Sequence, residues 1–252
     1  RNEFDFIYIY YALILDALIV FILINILYFF KSSNFIVKIN LINIKKIILK
    51  SIPILISAIS IILYMRIDQI MINAILDEYN LGIYSVSVRY IEIFHFIPKI
   101  IIISLLPILL ISKKYNLNLL KLNSIIFKLS LLIIAFVIIS SDYLIPYVFG
   151  AIYIDSINST KILSFSIIFV FYGVINEHWY VSKNLQRQYA TNVFLGAIIN
   201  IILNYFLINK FGIEGAAYST LMTYLLIIFA FDYSDKKTQE LLKIKFKSLI
   251  KL

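Results

Sequence analysis

The chain has 252 residues, of which 62% are hydrophobic and 15% charged, with a mean hydropathy of +0.94 and a formal net charge of +9. A soluble domain is about half apolar and a quarter charged, so a water-surrounded globule is excluded and the long apolar runs point to membrane helices. Cysteine is absent, which excludes disulfides and thiolate metal sites, while the lysines sit in short loops between apolar runs, a pattern of membrane orientation and not of nucleic-acid binding.

Seven apolar segments are each long enough to cross a hydrocarbon core that needs about 20 residues per helix: 6–30, 51–76, 82–112, 122–141, 159–182, 190–208 and 213–233. The first follows Arg1-Asn2-Glu3 with no Met and no cleavage-site pattern, which reads as a fragment or a processed chain. Next comes a loop over 31–50 with Lys31, Lys38, Lys45, Lys46 and Lys50; its stretch 36–50 mixes lysines with apolar residues, as an interfacial helix does, or a solvated helix packed on cytoplasmic loops. The following turns alternate: Asp77 and Glu78; then Lys113, Lys114 and Lys121; then Asp142 and Asp155; then Lys183 and Arg187; then Lys210 with Glu214. The tail carries Lys236, Lys237, Lys243, Lys245, Lys247 and Lys251, and over 239–252 it reads either as an interfacial helix or as a solvated helix packed on loops. Basic loops face the cytoplasm, so the C-terminus is expected inside. The expected organisation is a single membrane domain over 1–252: a helix and basic linker (1–50), six helices (51–233) and a basic tail (234–252).

Charges inside the apolar segments are costly and mark a polar path or a partner. Arg66 and Asp68 lie on the second segment, and Arg89, Glu92, His95 and Lys99 on the third. At about 1.5 Å per residue, Asp68 and Arg89 fall some 10–12 Å below the shared turn, and Arg66 and Glu92 some 15 Å below it. Antiparallel neighbours therefore predict the pairs Asp68–Arg89 and Arg66–Glu92. Spacings of three and four stack Arg89, Glu92, His95 and Lys99 on one stripe, which suits an anionic substrate or, more simply, ties helices together. Glu177 and His178 near the end of the fifth segment suit a gate or a coupling relay, or an interfacial cluster with Trp179. Pro53, Pro98 and Pro107 predict kinks. No metal-ligand spacing, cofactor motif, nucleophile elbow or phosphate loop is present, and neither a metal nor another cofactor is expected.

The run Tyr64-Met65-Arg66-Ile67-Asp68-Gln69-Ile70-Met71-Ile72, with Gly82-Ile83-Tyr84-Ser85-Val86-Ser87-Val88-Arg89 after an acidic turn, resembles a bacterial polysaccharide flippase of the Wzx type. Phe96-Ile97-Pro98 through Pro107 resembles the family's next stretch. Asn200 to Ile208, followed by Phe211-Gly212-Ile213-Glu214-Gly215-Ala216-Ala217, resembles its last hairpin. The resemblance covers about residues 50–233. It implies a twelve-helix exporter of the multidrug, oligosaccharidyl-lipid and polysaccharide superfamily, with this chain giving the sixth helix and the C-terminal six-helix lobe, and with the N-terminal lobe as its partner. It also implies alternating-access transport of undecaprenyl-pyrophosphate-linked oligosaccharide for O-antigen-type polymers, surrounded by membrane lipid and feeding a polysaccharide polymerase. Arg66, Arg89 and Lys99 would attract the anionic head, and Asp68 and Glu92 would position them. The competing expectations are a drug or peptidoglycan-precursor exporter of the same superfamily, and a membrane enzyme acting on lipid-linked sugar. The enzyme reading is disfavoured by the shortness of the loop at 142–158; a transporter, not an enzyme, is expected.

Overall fold

The structure, a computed structural model, describes residues 4–31, 41–111, 115–234 and 236–250. Among the described residues every element is helical, the arrangement that satisfies backbone polar groups in lipid within a single segment. In order they are α1 (Phe4–Lys31), α2 (Leu41–Ile75), α3 (Glu78–Glu92), α4 (Phe96–Ile111), α5 (Tyr115–Leu144), α6 (Ser156–Ser164), α7 (Ser166–Ser182), α8 (Gln186–Leu225), α9 (Phe231–Ser234) and α10 (Gln239–Ile250). The chain divides into two compact units, Arg1–Ile48 and Leu49–Leu252.

The first unit contains α1, which from Tyr10 to Phe30 is exposed on every face and apolar apart from Asp16 and Asn25, as suits a lipid-facing helix. Of the expected interfacial helix at 36–50, residues 36–40 lie outside the described residues, and from Leu41 onward the segment is the beginning of α2.

In the second unit α3 is started by Asp77, whose carboxylate accepts the Asn80 backbone N–H at 2.7 Å and the Asn80 side-chain amide at 2.9 Å. That cap holds the Asp77 carboxyl below the usual carboxylate range. The third apolar segment is not one continuous helix. It breaks at Ile93–His95, where Phe94 and His95 donate to Ile91 and Glu92, three residues back, at 3.0 Å each. Pro98 is the cause: its ring collides with the carbonyl of residue 94, and it has no N–H to give. Pro98 itself sits in the first turn of α4, where a missing donor is tolerated.

Serines join α3 to α6. Ser87 Oγ of α3 lies 2.7 Å from Ser159 Oγ and donates to the Ser156 carbonyl at 2.9 Å, drawing α3 onto α6. α6 and α7 form one bent path, turning by 41°. α8 folds back on itself at Gly212 (φ 60°, ψ −139°), a backbone conformation natural to glycine. Its arms are joined by the Asn200 amide, which donates to Ser219 Oγ and Thr223 Oγ1 at 3.2 Å each. A Cβ at Gly215 would stand 2.0 Å from the Leu207 carbonyl oxygen, so the arms meet this closely only with glycine there.

Among the described residues four helices pass length and hydropathy requirements for crossing a membrane (Tyr10–Phe30, Ile47–Ile75, Tyr115–Phe149, Gln186–Tyr233), and the bent α6–α7 pair counts as a fifth when taken as one span. The chain is therefore an all-α, multi-pass membrane protein. The 48-residue stretch Gln186–Tyr233 contains the Gly212 hairpin, so the segments predicted at 190–208 and 213–233 are its two arms.

The tail, expected as an interfacial helix or a solvated helix packed on loops, instead carries a helix, α10, that packs on α5 and buries Leu241, Leu242 and Ile244 together with Lys245. The Lys245 ammonium donates to Asp232 at 2.5 Å and to the Ile228 carbonyl at 2.6 Å, and the Tyr180 hydroxyl donates to the other Asp232 oxygen at 2.5 Å. Burial pushes Lys245 down to about 8, against the opposing pull of Asp232.

Candidate functional site

The site forms where α2, the α3–α4 break, α7 and both arms of α8 converge. A cavity of about 150 Å³ has His95, Lys99 and Glu177 as its ionisable lining, with Tyr189 and Tyr224 beside them. Its walls are otherwise apolar, among them Ile61, Met65, Phe169 and Val193. A smaller cavity of about 30 Å³ shares Met65, His95 and Tyr224 with it and adds Asp68, Tyr84, Glu92 and Thr220. The polar groups of the two thus follow one another through the bundle.

Each group is placed by an identifiable local cause. The break before Pro98 releases His95 from a regular helix face, and its Nε2 is buried without a hydrogen-bond partner among the described residues. A buried nitrogen lacking a partner costs about 1–3 kcal/mol, and here it lines a cavity where a ligand hydroxyl or phosphate oxygen could meet it. Lys99, one turn further along α4, lines the same cavity. Glu177 comes from the far helix, α7. Gly173, one turn before it, leaves ordinary van der Waals room toward Ile228.

The Arg66–Glu92 pair forms as depth predicts, at 3.0 Å across α2 and α3. Asp68 does not meet Arg89. It is 3% exposed, accepts the Tyr84 hydroxyl at 2.6 Å and Thr220 Oγ1 at 3.5 Å, and so ties α2 to α3 and to the second arm of α8. Arg89 turns back to Glu92 of its own helix at 3.3 Å, with 68% of its side chain exposed against 18% for Glu92. The predicted stripe is therefore split: Arg89 lies on the outside, while Glu92 and His95 face inward. Equal depth fixes two side chains at one level and leaves their direction around the helix open, and that direction decided the outcome.

Glu177 and His178 also separate. His178 lines a different, smaller pocket with Tyr115, Leu119 and Trp179, on another flank of α7. Trp179 is 2% exposed, so it belongs to the core and not to an aromatic belt at the membrane surface. Among the described residues no group of three or more metal-ligating side chains occurs.

Tyr84, Thr220, Tyr189 and Tyr224 escaped sequence reasoning. In a chain with 19 tyrosines, no single one carries a signal until the packing selects it.

Comparison with known proteins decides the family. Residues 6–158 match the polysaccharide biosynthesis protein family. The chain belongs to that family. A further relative is an uncharacterized membrane protein of Methanocaldococcus jannaschii, 30% identical over 176 residues, which are 69% of this chain. The match spans 41% of that relative's length. No solved structure matches the chain. The family match takes in Arg66, Asp68, Arg89, Glu92, His95 and Lys99, while Glu177 and the α8 hairpin lie beyond it. As a polysaccharide-related membrane protein, the chain thus places its intramembrane charges within the matched region.

Proposed function

We propose that the chain is part of a Wzx-type flippase that moves undecaprenyl-pyrophosphate-linked oligosaccharide across the bacterial inner membrane, with its C-terminus in the cytoplasm. In this reading it supplies the sixth helix and the C-terminal lobe of a twelve-helix exporter, and it transports without catalysing a covalent step. The observation that carries the proposal is the cavity holding His95, Lys99 and Glu177 at a proline-broken span in a protein of the polysaccharide biosynthesis family. Broken helices at cavity depth are where transporters place their binding groups.

The residues divide the work by chemistry. Lys99 and Arg66 provide positive charge for a pyrophosphate. His95 Nε2, Glu177 and the hydroxyls of Tyr189 and Tyr224 offer the mixed donors and acceptors that sugar hydroxyls require. Arg66 is paired with Glu92 and Lys99 lines the cavity with Glu177, while Arg89 stays outside it. Asp68, held by Tyr84, keeps α2, α3 and α8 in register around it. Alternating access would then rock this lobe against its partner lobe, with the sugar in the cavity and the lipid tail in the bilayer. The lipid-linked product would pass to a polysaccharide polymerase.

Complementation of a flippase-null strain with the full-length protein tests this. Lys99→Gln and His95→Ala should each abolish surface polysaccharide at unchanged membrane abundance. Polysaccharide at the wild-type level in both variants would refute the reading. A second reading, an exporter of an amphipathic cationic drug, is favoured by Glu177 set among apolar walls; it predicts that Glu177→Gln sensitises cells to cationic dyes while leaving polysaccharide intact.

A further inference from the structure

One wall of the central cavity is held from the tail. Past Leu225 the helix widens into a π-helical turn, Leu226–Ala230, where the Phe231 N–H donates to the Leu226 carbonyl five residues back. Two residues of this turn, Ile227 and Ile228, line the cavity. Each closes against a glycine: a Cβ at Gly196 would stand 2.4 Å from Ile227 Cδ1, and one at Gly173 would stand 3.7 Å from Ile228 Cδ1. The next residue, Phe229, faces the tail, its ring centroid 5.8 Å from that of Phe246 and 5.6 Å from the Lys245 ammonium. Phe229 also meets Phe169, a cavity residue of α7, edge-on at 6.3 Å.

We infer that Lys245 is a positioning residue for the central cavity: its bond to the Ile228 carbonyl holds the π-helical turn in the shape that makes Ile227 and Ile228 a cavity wall. Three observations converge. The Lys245 ammonium donates at 2.6 Å to the backbone of Ile228, which itself lines the cavity. The same ammonium binds Asp232, whose other oxygen accepts the hydroxyl of Tyr180, three residues beyond Glu177 on α7; Asn192 of the first α8 arm donates to that hydroxyl at 3.3 Å. One buried cation thus fixes the π-helical turn and α7, two walls of the same cavity. Docking of α10 does not call for a charge: Leu241, Leu242 and Ile244 already bury apolar surface, and an apolar pair would hold the tail as well as a buried ion pair does. A π-helical turn is a rare, local departure from the α-helix, met often at functional sites, and here the charge is spent on its carbonyl.

The inference deepens the transport reading, in which this cavity receives the substrate, and rests on that reading for its functional meaning. The geometric part, that Lys245 shapes the wall, is independent of what is carried.

The test uses the full-length protein in a cysteine-free background, purified in detergent without substrate, with one reporter thiol at a time. Gly173→Cys reports on the wall beside Ile228; Ser159→Cys, buried in the α3–α6 contact, reports on general loosening. Asp232→Leu/Lys245→Met removes both charges together and leaves the Ile228 carbonyl without its ammonium. The change at 232 is to leucine because an asparagine amide reaches the carbonyl four residues back, as Asn123 does with Leu119 at 2.8 Å. A water-soluble maleimide should label Gly173→Cys about tenfold faster in that variant than with Asp232 and Lys245 intact, the share of one charge-assisted hydrogen bond, while Ser159→Cys keeps its rate. Rates at Gly173→Cys within twofold of each other would overturn the inference, and equal acceleration at both thiols would do so too, leaving Lys245 a docking residue only. Surface polysaccharide in flippase-null cells carrying the same variant separates the two claims. It should fall at unchanged membrane abundance; faster labelling with wild-type polysaccharide would uphold the positioning role and count against the transport reading of the cavity.

Discussion

The tail helix offers the sharpest quantitative handle. Lys245 and Asp232 are 0% and 1% exposed and bonded at 2.5 Å, with Tyr180 and the Ile228 carbonyl completing the cluster. Lys245→Met fits the volume but leaves the Asp232 carboxylate buried beside a single remaining side-chain donor. Removing one partner of such a pair costs about 3–5 kcal/mol, which raises the undocked fraction of α10 at least a hundredfold. Lys243 and Lys247, both exposed on α10, remain as trypsin sites in the variant. Cleavage there tracks the undocked population when opening is fast. Trypsin digestion of the full-length protein in detergent should therefore cut the tail of the Lys245→Met protein at least a hundred times faster than wild type. The Asp232→Asn/Lys245→Met double variant, with no uncompensated charge, should recover most of the difference. Cleavage rates of wild type and Lys245→Met within twofold of each other would refute the burial argument.

The same cluster sets a pH dependence. Lys245 is lowered to about 8 in the fold from an ordinary 10.5, so between those values the unfolded chain holds a proton that the folded one has released. Stability relative to Lys245→Met should thus be flat below pH 8 and increase from pH 8 toward 10.5, as melting curves at fixed ionic strength would show. Gly215→Ala should lower the melting temperature sharply, because its Cβ would stand 2.0 Å from the Leu207 carbonyl oxygen, which is backbone and cannot turn aside; an unchanged melting temperature would mean the α8 hairpin is looser than described. Tyr84→Phe removes the 2.6 Å bond to buried Asp68 and should cost about 1–3 kcal/mol, with Tyr84→Phe/Asp68→Leu less damaging than the single change; denaturant titration in detergent measures both.

Much of this fold was readable from apolar run lengths, because lipid demands helices wherever backbone is exposed to it. The α8 hairpin was readable too, from the short turn with Lys210 and Glu214 between two apolar runs, and Arg66–Glu92 followed from depth arithmetic. Three features were not. The direction of Arg89 depends on the azimuth of a short helix that ends three residues later. The burial of Lys245 defeats the expectation that lysines in a basic tail are solvated, since its partners Asp232 and Tyr180 are identified only by tertiary packing. The meeting of Glu177 with His95 and Lys99 likewise joins residues about 80 positions apart, which no local pattern encodes.

The central claim, that the His95–Lys99–Glu177 cavity receives the transported lipid-linked sugar, is tested most directly by placing a thiol in it. The chain has no cysteine, and a Cβ at Gly173 meets its nearest neighbour, Ile228, at 3.7 Å, so Gly173→Cys fits without strain. In a cysteine-free, full-length background, a water-soluble maleimide should label this position, and labelling should slow when lipid-linked oligosaccharide accumulates in a strain lacking the polymerase. Labelling that is absent, or indifferent to that accumulation, would contradict the account.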